Sequence, residues 1–323
     1  MTRRVLVTGV TGYLGSRLVV PLLESGWDVR VLARTPAKLD RHPWRSQVEV
    51  VQGDATDTDT VEAAMQDVAV AYYLLHSMDG AGDLADRDHE MAKTFADAAA
   101  AAGVERIVYL GGLHPAGQDL SEHLASRADV GQVFLDGEVP AVVLQAAILI
   151  GSGSASFEML RHLTHRLPVM LTPRWVRSRI QPIAIDDVLH YLVGAADLPS
   201  TVNRTFDVGG PDVLTYQQMI EGFADVAGLH RRLVLIAPVL TPQLASLWVG
   251  LVTPVPSSIA RPLVDSLVHD VVCGEHDIDQ WVPAPEGGAT SYTEAVRRAL
   301  TPREDLSPPP AASVWPGDPD WVG

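Results

Sequence analysis

The chain has 323 residues, 47% of them hydrophobic and 20% charged, a composition that excludes intrinsic disorder and allows a sizeable buried core. Its formal charge is −16, with Lys38 and Lys93 as the only lysines, which argues against a nucleic-acid partner because an acidic surface repels phosphate. The single cysteine, Cys273, precludes an internal disulfide, fits a reducing cytoplasm, and reads as a small buried hydrophobe rather than a nucleophile.

The opening "MTRRVLVTGVTGYLG" lacks a signal-peptide pattern, since glycines and threonines break its apolar run. "RRVLVTG" predicts a buried parallel strand, and "YLGSRLVVPLLESG" predicts a helix that Pro21 kinks and Gly26 ends. Strands follow at "DVRVLAR" and "VEVVQGD", then a helix at "TDTVEAAMQDV" with Thr or Asp as its cap. "AVAYYLLH" is a strand and "ADRDHEMAKTFADAAAAAG" a long helix stopped by Gly103. The strand "ERIVYLGG", the helix "HLASRADVGQVFLDG" and the strand "AVVLQAAILIG" complete the first half. This alternation with short loops predicts an α/β fold, a Rossmann-like doubly wound parallel sheet.

The pattern changes after Gly151. Residues 1–151 are expected to form the nucleotide-binding core. Residues 152–300 are a mixed region in which "IQPIAIDDVLHYLVGAAD" and "RTFDVGGPDVLTYQQMIEGFADVAG" return to the core and interleave with a smaller C-terminal substrate lobe. Residues 301–323 read as a proline-rich irregular tail. The charge-free run at 233–259 is divided by Pro238, Pro242, Pro254 and Pro256 into pieces too short to span a membrane. It is expected to be buried or to line a ligand, with peripheral membrane contact left open.

"VLVTGVTGYLGSRL" places Gly9, Gly12 and Gly15 between a strand and a helix. In that setting Gly9 permits the tight turn, Gly12 lets backbone approach a pyrophosphate, and Gly15 allows close helix–strand packing. With Thr11, Tyr13 and Leu14 they form the expected cofactor-binding loop; the competing reading is a tight turn without ligand. An acidic residue at the end of the second strand would select NAD, yet the chain offers Arg34 in "VLARTPAK" and no carboxylate before Asp40. A guanidinium suits a 2′-phosphate, so NADP(H) is expected ahead of NAD, unless Arg34 is a solvated loop charge. Asp54 in "GDATD" either accepts from an adenine amino group or serves a turn.

Together "TGVTGYLG", "RTP", "GDATD" and "GGPDVLT" resemble the atypical branch of the short-chain dehydrogenase/reductase superfamily, above all bacterial NAD(P)H-binding proteins of the sugar-nucleotide epimerase-like type. Nitrogen-metabolite-repression regulators and the Rossmann subunit of mitochondrial complex I are similar at a greater distance. The resemblance runs from residue 1 to about 300, and some longer relatives continue into a further domain after a segment like "DPDWVG". It implies a Rossmann fold with a small substrate lobe and, in catalytic members, a site of Ser, Tyr and Lys. This chain departs there: Gly111 and Gly112 stand where Ser is usual, and His123 and Arg127 fall on the Tyr and Lys positions.

Histidine donates a proton near neutral pH, and arginine holds ribose hydroxyls but exchanges no proton. His123 and Arg127 therefore make a candidate catalytic pair, with Arg127 also a cofactor contact; the alternative is a solvated helix face with i,i+4 spacing. His76, just past the fourth strand, is a candidate neighbour of the nicotinamide ribose and a third catalytic candidate, and His114 lies at the same rim. Glu158, His162 and His165 share a helix face; without a fourth ligand, polar helix surface is preferred to a metal site. The function expected is an NADP(H)-dependent oxidoreductase or isomerase acting on a fairly apolar small molecule. The alternative is a non-catalytic NADP(H)-binding sensor or scaffold.

Overall fold

The computed structural model describes residues 3–75, 84–114, 120–237, 252–265 and 268–301, together with Trp315 and Asp318. In chain order it contains β1 (Arg4–Val7), α1 (Tyr13–Glu24), β2 (Asp28–Ala33), β3 (Glu49–Gln52), α2 (Thr58–Met65), β4 (Val70–Tyr73), α3 (Leu84–Ala101), β5 (Arg106–Gly112), α4 (Glu122–Asp136) and β6 (Ala141–Ala146). Then come β7 (Leu149–Ile150), α5 (Ala155–Arg166), β8 (Val169–Thr172), β9 (Arg179–Ile180), β10 (Ile183–Ala184), α6 (Ile185–Ala195), β11 (Arg204–Val208), β12 (Leu214–Thr215), α7 (Tyr216–Val226) and β13 (Leu233–Ile236). Helices Ser257–Asp265 and Tyr292–Leu300 follow.

Seven strands make one sheet in the order β11-β6-β5-β4-β1-β2-β3, and every pairing in it is parallel. Its core strands are continuous apolar runs because both faces are covered. Val5 and Val7 of β1 face α1 and α6, packing with Leu18, Leu22, Val188 and Leu192. Leu6 turns the other way, towards Val61, Met65, Phe95 and Phe134 of α2, α3 and α4. The doubly wound sheet expected from the sequence is therefore present. Its strand order reverses between β1 and β4, the crevice where open α/β sheets bind ligands.

One expectation needs correction. "AVVLQAAILIG" is not a single strand: β6 pairs with β5 and ends at Ala146, whereas β7 leaves the sheet and pairs with β10. The Ile183 N–H donates to the Ile148 carbonyl at 2.9 Å, and this pairing diverts the chain into the second lobe. There α5, α7 and the helix Tyr292–Leu300 pack around Phe157, Leu160, Met219, Phe223 and Val296. Thr215 and Gln218 form a capping box that starts α7. Among the described residues no helix is long and apolar enough to cross a membrane. Most of the charge-free run, residues 238–251, lies outside the described residues, as does the tail apart from Trp315 and Asp318.

Candidate functional site: a nucleotide loop and the rim of the sheet

β1 delivers Thr8 to the switch point, where its hydroxyl donates to the Tyr72 carbonyl (2.9 Å) and accepts from the Leu74 N–H (3.2 Å). These bonds lock β1 to the end of β4. Gly9 then turns with φ +66°, and a Cβ there would stand 2.2 Å from the Leu74 carbonyl oxygen. A Cβ on Gly15 would be 2.4 Å from the Gly9 carbonyl oxygen, so this glycine lets α1 rest on the turn. Gly12 differs, since it is exposed and its Cβ would meet only the Gly9 carbonyl oxygen, at 3.2 Å.

Gly12 is also the N-cap of α1, with no side-chain cap and no acidic residue in the first turn. The first N–H groups of α1 thus lack an intrahelical partner and carry the positive end of the helix dipole. The three glycines and this uncapped end fit a pyrophosphate; Thr11, Tyr13 and Leu14 surround it. Tyr13 offers only its N–H, because its side chain packs under Arg17, 4.0 Å from the ring, and towards Gly151. Burial raises the proton affinity of that phenol well above the usual range.

At the next strand ends, Arg34 is 79% exposed and its guanidinium lies 4.0 Å from the Asp54 carboxylate. Asp54 is used by its own turn: its Oδ1 accepts from the Thr56 N–H (3.0 Å) and hydroxyl (2.9 Å). Those bonds, helped by Arg34, hold its carboxyl below the usual range. Arg34 therefore stands at the rim with its charge directed to solvent and a carboxylate at its limit of reach.

On the other side of the switch point β5 ends at Gly111 and Gly112, two strand spacings from β1, or about 10 Å. A Cβ on Gly112 would stand 2.7 Å from Leu124 Cδ2 and 3.8 Å from Arg127 Cδ, so α4 lies close over this end. Ser121 caps α4 by accepting from the Leu124 N–H at 3.3 Å. The fold therefore brings Gly112, His123 and Arg127 together. The solvated-face alternative for the pair is not what the structure shows: His123 is partly buried, and burial with the Arg127 charge lowers its pKa to about 4. At neutral pH the ring is uncharged imidazole, contrary to the expectation of a ready donor at that pH. His114 Nδ1 lies 3.1 Å from the Gly112 carbonyl oxygen. His76 lies outside the described residues.

The polar-surface reading of the α5 face holds at His165, which is exposed, and is corrected at Glu158. Glu158 is fully buried, accepts from the Gly153 N–H at 3.0 Å and pairs with buried Arg161 at 2.8 Å. α5 turns Glu158 and Arg161 inward but leaves His165 exposed, and among the described residues no group of His, Cys, Asp and Glu is arranged to hold a metal.

Sequence reasoning missed a polar group beside the rim. At the end of β11, Asp207 accepts from the Gly274 N–H (2.8 Å), its own N–H donates to Glu275 (2.7 Å), and Gln181 accepts from the Cys273 N–H (3.0 Å). Burial raises the Asp207 carboxyl, and burial with Asp207 and Glu275 pushes the Cys273 thiol to about 12, which keeps it protonated. The available signal was a carboxylate inside the strand "TFDVGG", just before a glycine pair.

Residues 9–131 match the family model for NAD(P)H-binding domains. Over 133 residues the chain is 35% identical to a 3 beta-hydroxysteroid dehydrogenase/Delta 5-->4-isomerase of Mycobacterium tuberculosis; the match covers 36% of this chain and 35% of that protein. The chain thus matches only about a third of the length of that curated relative. It is 26% identical over 303 residues to the ceramide reductase of Caulobacter vibrioides, covering 90% of this chain and 93% of that one. Among solved structures, the triphenylmethane reductase of Citrobacter sp. complexed with NADP(H) superposes with a TM-score of 0.70 at 17% identity, over 92% of this chain and 100% of that chain. The glycine loop, the switch point and these matches agree: residues 9–131 resemble NAD(P)H-binding domains, and the chain has the Rossmann-like fold of these reductase and epimerase structures.

Proposed function

We propose that the protein is an NADP(H)-dependent oxidoreductase that interconverts a carbonyl and an alcohol on a small, fairly apolar molecule. The observation that carries this reading is the uncapped end of α1 at Gly12, held open by Gly9 and Gly15, with the exposed Arg34 guanidinium at the adjoining strand end. The first-turn N–H groups bind the pyrophosphate and Arg34 the 2′-phosphate, which selects NADP(H) over NAD(H). When bound, NADPH would supply hydride to the carbonyl carbon, and the resulting alkoxide would take its proton from solvent water.

Arg127 holds ribose hydroxyls over Gly112. His123, kept uncharged at neutral pH by burial and then by the Arg127 charge, orients the substrate oxygen through a hydrogen bond. The apolar substrate class is supported by the names of two relatives, a hydroxysteroid dehydrogenase and a ceramide reductase.

A second reading, a non-catalytic NADP(H)-binding sensor or scaffold, is supported by the resemblance, which implies that Gly111, Gly112, His123 and Arg127 fall where catalytic members carry Ser, Tyr and Lys. Fluorescence titration with NADPH, NADP⁺, NADH and NAD⁺ tests the shared premise. Preferential binding of the phosphorylated pair supports it, and no binding of any form overturns both readings. A carbonyl-substrate screen with His123→Phe then separates them, since the enzyme loses turnover while a sensor keeps its nucleotide affinity and shows no turnover to lose.

A further inference from the structure

β8 and β13 form a two-stranded parallel ribbon apart from the central sheet, with Leu233 opposite Val169 and Leu235 opposite Leu171. Side chains alternate along a strand, so Met170, Val234 and Ile236 pack inward on the lobe core while the paired residues share the outer face. Val169, Leu171, Leu233 and Leu235 are 49%, 58%, 53% and 44% exposed. Large aliphatic side chains scattered singly on a surface need no explanation, but four in register on one face do.

Charge on these segments runs opposite to that of the whole chain. The protein carries −16, yet residues 159–185 and 226–264 contain no Asp or Glu and hold Arg161, Arg166, Arg174, Arg177, Arg179, Arg231, Arg232 and Arg261. Arg166 and Arg231 precede the two strands at one end of the ribbon, and Arg174 and Arg177 follow β8 at the other; all four are exposed. Among the described residues none of these four has a carboxylate partner. Arg166 donates instead to the Val252 carbonyl.

We propose that this face docks the protein on an anionic lipid bilayer. Val169, Leu171, Leu233 and Leu235 enter the boundary between headgroups and acyl chains, and Arg166, Arg174, Arg177 and Arg231 meet lipid phosphates. A second copy fits the face less well, because a two-fold contact would bring its unpaired guanidiniums together. Nucleic acid fits less well still, since the centre of the face is aliphatic. The inference stands independently of the nucleotide site.

The test is flotation of the full chain with vesicles of phosphatidylcholine alone and of phosphatidylcholine mixed with phosphatidylglycerol. The wild type should float with the mixed vesicles, lose that binding in high salt, and stay unbound to the neutral ones. Leu171→Asp with Leu235→Asp, and separately Arg174→Glu with Arg231→Glu, should each weaken binding by about tenfold or more. An unchanged circular dichroism spectrum and melting temperature show that a variant is folded; if the aspartate pair fails to fold, the arginine pair decides. Absence of flotation with anionic vesicles, or flotation of both variants as strong as the wild type's, overturns the proposal. Concentration-dependent dimerisation abolished by the aspartate pair overturns it too, assigning the face to a second copy.

Discussion

Arg17 on α1 and Asp318 in the C-terminal segment form a two-pronged ion pair, 2.8 and 2.9 Å, with side chains only 3% and 2% exposed. The same guanidinium donates to the Ser152 carbonyl at 2.9 Å and lies between the rings of Tyr13 and Trp315. Gly153, at φ +90°, leaves the room for the carboxylate: a Cβ there would stand 2.8 Å from Asp318 Oδ2. Asp318, in a stretch expected to be an irregular tail, thus ties down the helix that follows the glycine loop.

Asp318→Ala leaves a buried guanidinium without its charge partner, so unfolding in urea should show a loss of about 3–5 kcal/mol. Replacing both partners, Arg17→Met with Asp318→Leu, should recover part of that loss because no charge remains buried. A loss below about 1 kcal/mol for Asp318→Ala would mean that the pair is open in solution.

The three loop glycines should separate by what surrounds them. Gly15→Ala drives a Cβ into backbone, 2.4 Å from the Gly9 carbonyl oxygen, and should lower both the melting temperature and nucleotide binding. Gly12→Ala meets its neighbour at 3.2 Å, so stability should change by about 1 kcal/mol or less, while the methyl group obstructs the pyrophosphate and weakens NADPH binding. Paired thermal melts and fluorescence titrations distinguish the two.

Arg34→Ala removes a guanidinium that is almost wholly in solvent, so the fold should be untouched. Charge-assisted hydrogen bonds contribute about 1.5–3 kcal/mol, so NADPH affinity should fall roughly 10- to 100-fold while NADH affinity holds. Equal loss for both dinucleotides would remove the basis for the NADP(H) preference.

His123 has a folded-state pKa of about 4 against an ordinary 6.5, through burial and then Arg127. Below pH 6.5 the unfolded chain takes up a proton that the folded ring refuses until about pH 4, so stability falls as pH drops through that window. The whole shift corresponds to roughly 3 kcal/mol. His42, also lowered to about 4 by burial, loses stability in the same range. His123→Phe should therefore flatten, without abolishing, the fall in urea stability between pH 6.5 and pH 4. An unchanged slope would show that the ring is solvated.

The nucleotide loop and the strand–helix alternation were legible because their signals are local. A glycine pattern between an apolar run and a helical period sets backbone geometry within a few residues. The end of β6 was not legible, since "AVVLQAAILIG" is apolar throughout and only pairing with Ile183 shows where it leaves the sheet. Glu158 looked like surface because helical spacing gives the face a residue shares, not the direction of that face. His123 looked like a donor at neutral pH because an imidazole's proton affinity depends on its surroundings.

By itself the sequence determined that this chain winds a parallel sheet with a glycine loop between its first strand and first helix. Tertiary structure alone decided that a tail carboxylate is buried against Arg17, that His123 is uncharged, and that Leu233 and Leu235 face solvent. Those outcomes depend on which distant residues pack together, and packing sets the burial that governs charge and exposure.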